Sequence, residues 1–469
     1  MSTPEYTREL VTFLQGLQAR DLPAAVLDRA RYFMLDYLSV AIRGSREESA
    51  LAVQRMIQKN VATTVAGQRA TILGTSLQTL PAYAAFANGT ASHGVELDDT
   101  HSGGSIHLGT TMYSVALALA EGQKDITADL FLTAVVAGFE AAARIAMAAQ
   151  PQQQYALGFH PTQTCGVFGA AITAAKLLRL NQIQTLHAVG IAGSMAAGSM
   201  EFLAEGAWTK RLHPGLAAQN GMHAAFLAAE GFLGPARILE GRDGFLHGYS
   251  RDAKAERLTA NLGQTYEILR TAVKPHSCCR YMQGPIDAVL EIVRQENLAP
   301  EQISNIQVSV LNAGWGLVAE PKEKKYNPQS IVDAQFCMPF GAAVAAVRGA
   351  AGLDQFTLQQ IHSPEVRAMM RKVTLTKDDP AIEATYPREW PARVVIETAT
   401  GQQHERFVRF PKGDPENPLT WDEMAAKFHN LTVTVLPQSR RDEIVAQVRE
   451  SNQPATIAHL CAVEEALIA

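Results

Sequence analysis

The stretch from Leu130 to Ala149, LFLTAVVAGFEAAARIAMAA, is apolar enough to resemble a membrane span, yet Glu140 and Arg144 stand at its middle. A spanning helix would have to bury both charges in hydrocarbon. A core helix of a large helical domain is therefore the expectation. The surrounding segments repeat its texture: STPEYTRELVTFLQGL with Pro4 at a first-turn position, Asp21 ahead of LPAAVLDRARYFMLDYLSVAIRG, then further Ala- and Gly-rich runs at helical spacing. Small residues of this kind let helices approach closely.

Near residue 265 the pattern changes: ISNIQVSVLNA, RKVTLTKDD and ARVVIETATGQQHERFVRFP are β-branched and alternating, broken by turn signals, with helical runs such as GPIDAVLEIVRQE between them. After PKGDPENPLT the helical pattern returns through WDEMAAKFHNL and RRDEIVAQVRESN. The fold class expected is mainly α. A large discontinuous all-helical domain, residues 1–268 and 412–469, carries a smaller α+β domain over 269–411, a size typical of one domain.

Composition narrows the function classes. The 469 residues, 47% hydrophobic and 19% charged, suffice for a large core in two domains. With 41 basic against 46 acidic residues, the net charge of -5 offers no long-range attraction to nucleic acid or anionic membrane, and neither partner is expected. The five cysteines, Cys165, Cys278, Cys279, Cys337 and Cys461, show no C-x-x-C spacing, which argues for a reducing compartment without structural zinc. MSTPEYTREL lacks a basic stretch followed by an apolar run, so no signal peptide is expected. A cytoplasmic location follows.

The titratable chemistry clusters at expected helix starts. HGVELDDTH, residues 93–101, holds two imidazoles and three carboxylates and leads into SGGSIHLGTTMYSVALALAEG, where His107 precedes a helix beginning near Gly109. In GFHPTQTCGVFGAA, His160 precedes Pro161, and in AWTKRLHPGLAAQNG, Lys210, Arg211 and His213 precede Pro214 and a long helix. Free N–H groups at each helix start favour a bound carboxylate or phosphate. If the three ends converge, they form a site for a small polyanion. Plainer readings stand beside this one: capping imidazoles at His160 and His213, a surface Lys210, and a solvated ELDDTH loop in which Asp98 or Asp99 caps the next turn. The spacing of the cluster matches no zinc signature, so no metal is expected.

In the α+β segment, VKPHSCCRYMQGPIDAV places Lys274, His276 and Arg280 between a strand and a helix. Arg280 could clamp a carboxylate or cap its own domain. The adjacent Cys278 and Cys279 read as buried structural thiols. Tyr326, in a loop before a short helix, could shuttle a proton or act as an aromatic staple.

Taken together, HGVELDDTH…IH, GFHPTQTCGVFGAA, TKRLHPGLAAQNG, VKPHSCCRYMQGPIDAV and VDAQFCMPFGAAVA resemble, in order and approximate spacing, the motifs of the MmgE/PrpD family. That family includes 2-methylcitrate dehydratases, cis-aconitate decarboxylases and iminodisuccinate epimerases. The resemblance spans nearly the whole chain and implies a helical domain with an α+β lid, a homodimer, and a metal-free site in the cleft between the domains. It implies a first catalytic motif ending in Asp99-Thr100 with His107 following, and an active site lined by His160, Lys210 and Tyr326. Glu96 stands where many members carry aspartate, and Gln283 where a histidine often stands. The CCR loop resembles the dehydratase-type and uncharacterised branches and differs from known decarboxylases, which usually lack it.

The chemistry shared by these activities holds a polycarboxylate by cationic and helix-end donors, then moves a proton or carboxylate next to a stabilised carbanion-like centre. His107 and His160 are the expected proton carriers, with Glu96 or Asp99 orienting an imidazole. Lys210 and Arg280 are the expected anchors, and Thr100, Lys274, His276 and Gln283 the expected substrate contacts. The expected function is a cofactor-independent lyase of small di- or tricarboxylates, with 2-methylcitrate dehydratase-like dehydration first. Epimerisation and decarboxylation at the same site are alternatives, and a catalytically degenerate binding or scaffold protein is the alternative of another class.

Overall fold

The computed structural model describes residues 4–61, 69–123, 125–450 and 453–463. The ends of the expected helical domain, 1–3 and 464–469, lie outside them. The chain divides into two compact units: 1–200 with 209–271 and 420–469, and 201–208 with 272–419.

The first unit is built of helices. Its helix Ala128–Ala149 is long and apolar enough to cross a membrane by composition, but 89% of its apolar window is buried inside the protein. Its two charges are neutralised locally. Arg144 Nε bonds Glu140 Oε2 at 3.0 Å one turn away, and the guanidinium also donates to the carbonyls of Ala260 (2.6 Å) and Thr265 (3.2 Å). Glu140 accepts the Glu267 backbone N–H as well, so the pair sits in the core with its polar atoms engaged.

Small residues bring two further helices together. Pro81–Ser92 packs on Thr209–Ala229 so closely that a Cβ on Gly89 would lie 2.8 Å from Gly215 Cα. Pro214 lies inside the second helix. The helix therefore starts at Thr209 rather than at the proline, and Lys210 belongs to its first turn. Packing along the glycine contact carries the helix through a residue that cannot donate to the carbonyl four positions back.

The second unit carries a four-stranded mixed sheet: β1 (Ile303–Ser309), β2 (Val373–Thr376), β3 (Ala392–Thr398) and β4 (Gln403–Val408), in the order β2-β1-β3-β4. β1 is parallel to β2 and antiparallel to β3, which pairs antiparallel with β4. Along β3, Ala392, Val394, Ile396 and Thr398 are buried in alternation, and the buried face shares one apolar cluster with helices Arg280–Gln295 and Met338–Arg348.

Two boundaries differ from the sequence reading. Residues 201–208 join the sheet-containing unit because Lys324 Nζ donates to the carbonyls of Leu203 (2.9 Å) and Ala204 (2.8 Å), and Phe202 meets Phe336 edge to face. Residues 412–419 join it too: Val273 N–H bonds Gly413 O at 2.9 Å, and Lys412 N–H bonds Asp287 at 2.8 Å.

Candidate active site

Helix Pro81–Ser92 delivers the chain into residues 93–101, every one of which is buried. Glu96, Asp98 and Asp99 are 2%, 1% and 3% exposed, which rules out a solvated loop. Glu96 adopts φ 55°, in the left-handed region that a non-glycine residue occupies at a cost of about 1–3 kcal/mol. Its carboxylate pairs with the ammonium of Lys210, which is itself buried.

The three acidic side chains divide their work. Asp98 Oδ2 meets His93 Nδ1 at 2.7 Å and His107 Nδ1 at 3.1 Å. Asp99 caps the helix Gly109–Gly122, accepting from Gly109 N (2.8 Å) and Leu108 N (3.2 Å). Burial and the neighbouring Asp98 push the Asp99 carboxyl well above the usual range. The carboxylate that meets the imidazoles is thus Asp98, while the expected Glu96 meets Lys210 and Asp99 the next helix start. Asp99 contributes its backbone carbonyl, 2.8 Å from His107 Nδ1, and Thr100 Oγ1 stands 3.2 Å from the same atom. Because a carbonyl only accepts, His107 Nδ1 is the donor in this contact and carries a hydrogen.

The loop ahead of His107 is closed by a backbone bridge between His101 and Ile106. His101 Nδ1 accepts from Gly104 N at 3.0 Å, so its Nε2–H points to Glu267, also 3.0 Å away. This imidazole is structural and holds the loop that presents His107.

His160 stands at the N-cap position of the short helix Pro161–Thr164, makes no side-chain cap bond there, and is 4% exposed. Its Nδ1 lies 2.9 Å from His213 Nδ1. Ring centroids are 4.7 Å apart for His93 and His107, 6.1 Å for His93 and His160, 6.4 Å for His107 and His160, and 5.1 Å for His160 and His213. The three helix starts that carry His107, His160 and Lys210 do converge. Burial, opposed by Asp98, pushes His93 down to about 4, and burial with His93 and Lys210 nearby pushes His213 down to about 3. His160 is held well below the ordinary imidazole range by burial and by His213. These three rings are neutral at pH 7. His93, Asp98 and His213 complete the cluster beyond the expected residues, and one nitrogen from each of His93, His107 and His160 lies within 4.8 Å of the others, a set that can hold a metal ion.

The second unit holds the remaining expected residues. Lys274 is fully buried. His276 Nε2 bonds Asp287 Oδ1 at 2.8 Å. Gln283 is occupied as a brace: Oε1 accepts the His276 N–H at 3.1 Å, while Nε2 donates to the carbonyls of His276 (3.0 Å) and Cys278 (3.1 Å). Arg280 pairs with the buried Asp414 and lies over the Trp390 ring, while its buried Nε finds no acceptor among the described residues. Tyr326 donates its phenolic hydrogen to the Val373 carbonyl at 2.7 Å, which ties it to β2. All five cysteines are buried.

Residues 8–258 match the MmgE/PrpD N-terminal domain and residues 276–451 the MmgE/PrpD C-terminal domain. The chain belongs to the MmgE/PrpD family. Among its relatives, the cis-aconitate decarboxylase-like protein oryM of Aspergillus oryzae is 30% identical over 489 residues, covering 98% of each chain. The cis-aconitate decarboxylase of Aspergillus terreus is 27% identical over 93% of this chain and 91% of its own. The human cis-aconitate decarboxylase is 28% identical over 80% of this chain and 77% of its own. These similarities support a lyase-type enzyme of the family; none of the three is a 2-methylcitrate dehydratase.

Proposed function

We propose that the chain is a metal-independent lyase of small tricarboxylates and that it removes carbon dioxide from a cis-aconitate-type substrate. The observation that carries this reading is the gathering of His93, His107 and His160 around the buried Lys210–Glu96 pair in a single unit. The decarboxylase relatives supply the reaction class.

On this reading Lys210, on the first turn of its helix, receives a substrate carboxylate through a charge-assisted hydrogen bond. A second carboxylate leaves as carbon dioxide. The electron pair of the broken carbon–carbon bond forms a new double bond, and the pair of the old double bond takes up a proton at its far carbon. One of His107 and His160, protonated from solvent on its site-facing nitrogen before the step, delivers that proton and returns to its neutral form, so that one solvent proton is consumed per turnover. Burial of the two rings keeps bulk solvent from quenching the developing carbanion-like charge before that transfer. A homodimer and a cytoplasmic location complete the proposal, from the family resemblance and the cysteine usage.

Dehydration of a 2-methylcitrate-type alcohol is the second reading, favoured by the CCR sequence at Cys278–Arg280. Incubation with cis-aconitate, 2-methylcitrate, citrate and iminodisuccinate in D2O, followed by NMR, separates the reactions. The expected result is carbon dioxide release from cis-aconitate with one deuterium in the product. Absence of turnover across the panel would overturn the enzyme reading, and water loss from 2-methylcitrate alone would select the second.

A further inference from the structure

The proposed proton transfer leaves one group of the cluster without a task. His93 is completely buried, its Nδ1 is bound to Asp98 at 2.7 Å, and its Nε2 has no hydrogen-bond partner among the described residues. A buried imidazole lone pair left idle is costly. With Nδ1–H donated to a carboxylate, that lone pair is available to an electron-pair acceptor. His107 is arranged in the same way, its Nδ1 surrounded by Asp98, the Asp99 carbonyl and Thr100.

We propose that His93, His107 and His160 form a binding site for a divalent transition-metal ion of the zinc class, and that the bound ion inhibits the enzyme by occupying the imidazoles that move the proton. The donor set selects the ion. Three nitrogen ligands suit Zn2+ or Co2+ and leave a fourth position open, whereas Mg2+ and Ca2+ require oxygen cages. A single carboxylate, Asp98, braces the outer nitrogen of two of the three rings, and His213 braces the third. This is the supporting shell that metal-binding imidazoles use to fix their orientation. Charge also permits it: Lys210 is matched by Glu96, which leaves Asp98 to offset part of the ion's charge. One nitrogen of each ring lies within 4.8 Å of one nitrogen of each of the others. Tetrahedral bonds of about 2.0–2.1 Å place ligand atoms about 3.3 Å apart, so binding draws the rings together by up to about 1.5 Å. His107, the ring with a tenth of its side chain exposed, is the side from which the ion arrives.

The site itself is independent of the proposed reaction, and only its inhibitory effect rests on that reading. Titration of chelator-stripped protein with Co2+ reads binding without substrate. The expected result is one equivalent bound with the intense visible absorption of a tetrahedral ion, displaced by Zn2+, and weakened at least about a hundredfold in His93→Gln. X-ray absorption of the zinc-loaded wild-type protein, which needs no variant, should show three imidazole scatterers. Absent binding, an octahedral oxygen-rich spectrum or full affinity in a folded His93→Gln overturns the site. Zinc should abolish turnover and EDTA restore it; activation by zinc overturns the inhibitory role. Turnover without metal binding removes only this inference, and metal binding without turnover removes only the decarboxylase reading.

Discussion

Lys210→Met tests whether the buried ammonium anchors substrate or merely neutralises Glu96. The two side chains are 6% and 3% exposed, so the attraction is little screened by water. Removing one partner of a buried ion pair costs about 3–5 kcal/mol, because the other charge stays behind. Lys210 lies on the first turn of the helix Thr209–Ala229, where a cation opposes the helix dipole, and its removal returns about 0.3–1 kcal/mol. The buried charge dominates, and a net loss of about 2–5 kcal/mol is expected. In Lys210→Met/Glu96→Gln the stranded charge is gone, and stability should return to within about 1 kcal/mol of wild type. Urea denaturation of the four proteins reads the coupling; equal losses in the single and double variants would refute it. Steady-state kinetics then separates the roles. An anchoring Lys210 leaves both variants with a KM raised about tenfold to hundredfold and kcat largely kept, the loss of one charge-assisted hydrogen bond worth about 1.5–3 kcal/mol. Recovery of wild-type KM in the double variant, or a collapse of kcat at unchanged KM, refutes anchoring.

Replacing His107 or His160 by Ala should lower kcat by about two to four orders of magnitude with the far-ultraviolet circular dichroism retained; normal turnover removes that ring from the mechanism. Asp98→Asn, which loses the carboxylate shared by His93 and His107, should lower kcat at least about tenfold, and an unchanged rate would show that the Asp99 carbonyl alone orients His107. Exhaustive chelation should leave turnover unchanged or raise it, and a loss that only a divalent ion repairs would make the imidazoles obligatory ligands. Glu140 is pushed up to about 7 by burial and by Glu267, against the pull of Arg144, with Tyr266 and the Glu267–His101 pair beside it. The native state therefore holds a proton between pH 4.5 and 7 that the unfolded chain releases, so this contribution is fully present below 4.5 and is lost as pH rises through 7. Glu140→Gln should flatten the fall in urea midpoint across that window, and an unchanged slope would show that Glu140 is ionised throughout.

Periodicity made the helical unit legible. Glu140 and Arg144 inside an apolar run already required a helix buried in protein, and the structure shows them paired in its core. Local preference misplaced the start of Thr209–Ala229, because a proline favours a first turn and the Gly89–Gly215 contact that extends the helix backwards is tertiary. Residues 201–208 failed for the same reason. Their place is decided by Lys324 and Phe336, more than a hundred positions away, and no window of sequence contains both partners.

The site was legible as a set of residues and illegible as a set of roles. Glu96, Asp98 and Asp99 sit within four positions, and residue type alone makes any of them an orienting carboxylate. The left-handed turn at Glu96 breaks the regular alternation of an extended chain. Its own carboxylate therefore meets Lys210, Asp98 meets two imidazoles, and Asp99 meets the N–H groups that open the next helix. His93 was missed because it closes one helix while its partners belong to a loop and to a segment near residue 160. A spacing test confined to HGVELDDTH could not see a third ring brought in by the fold. The strain at Glu96 thus has a consequence for chemistry: it frees Asp98 from the lysine and leaves the imidazoles their own carboxylate.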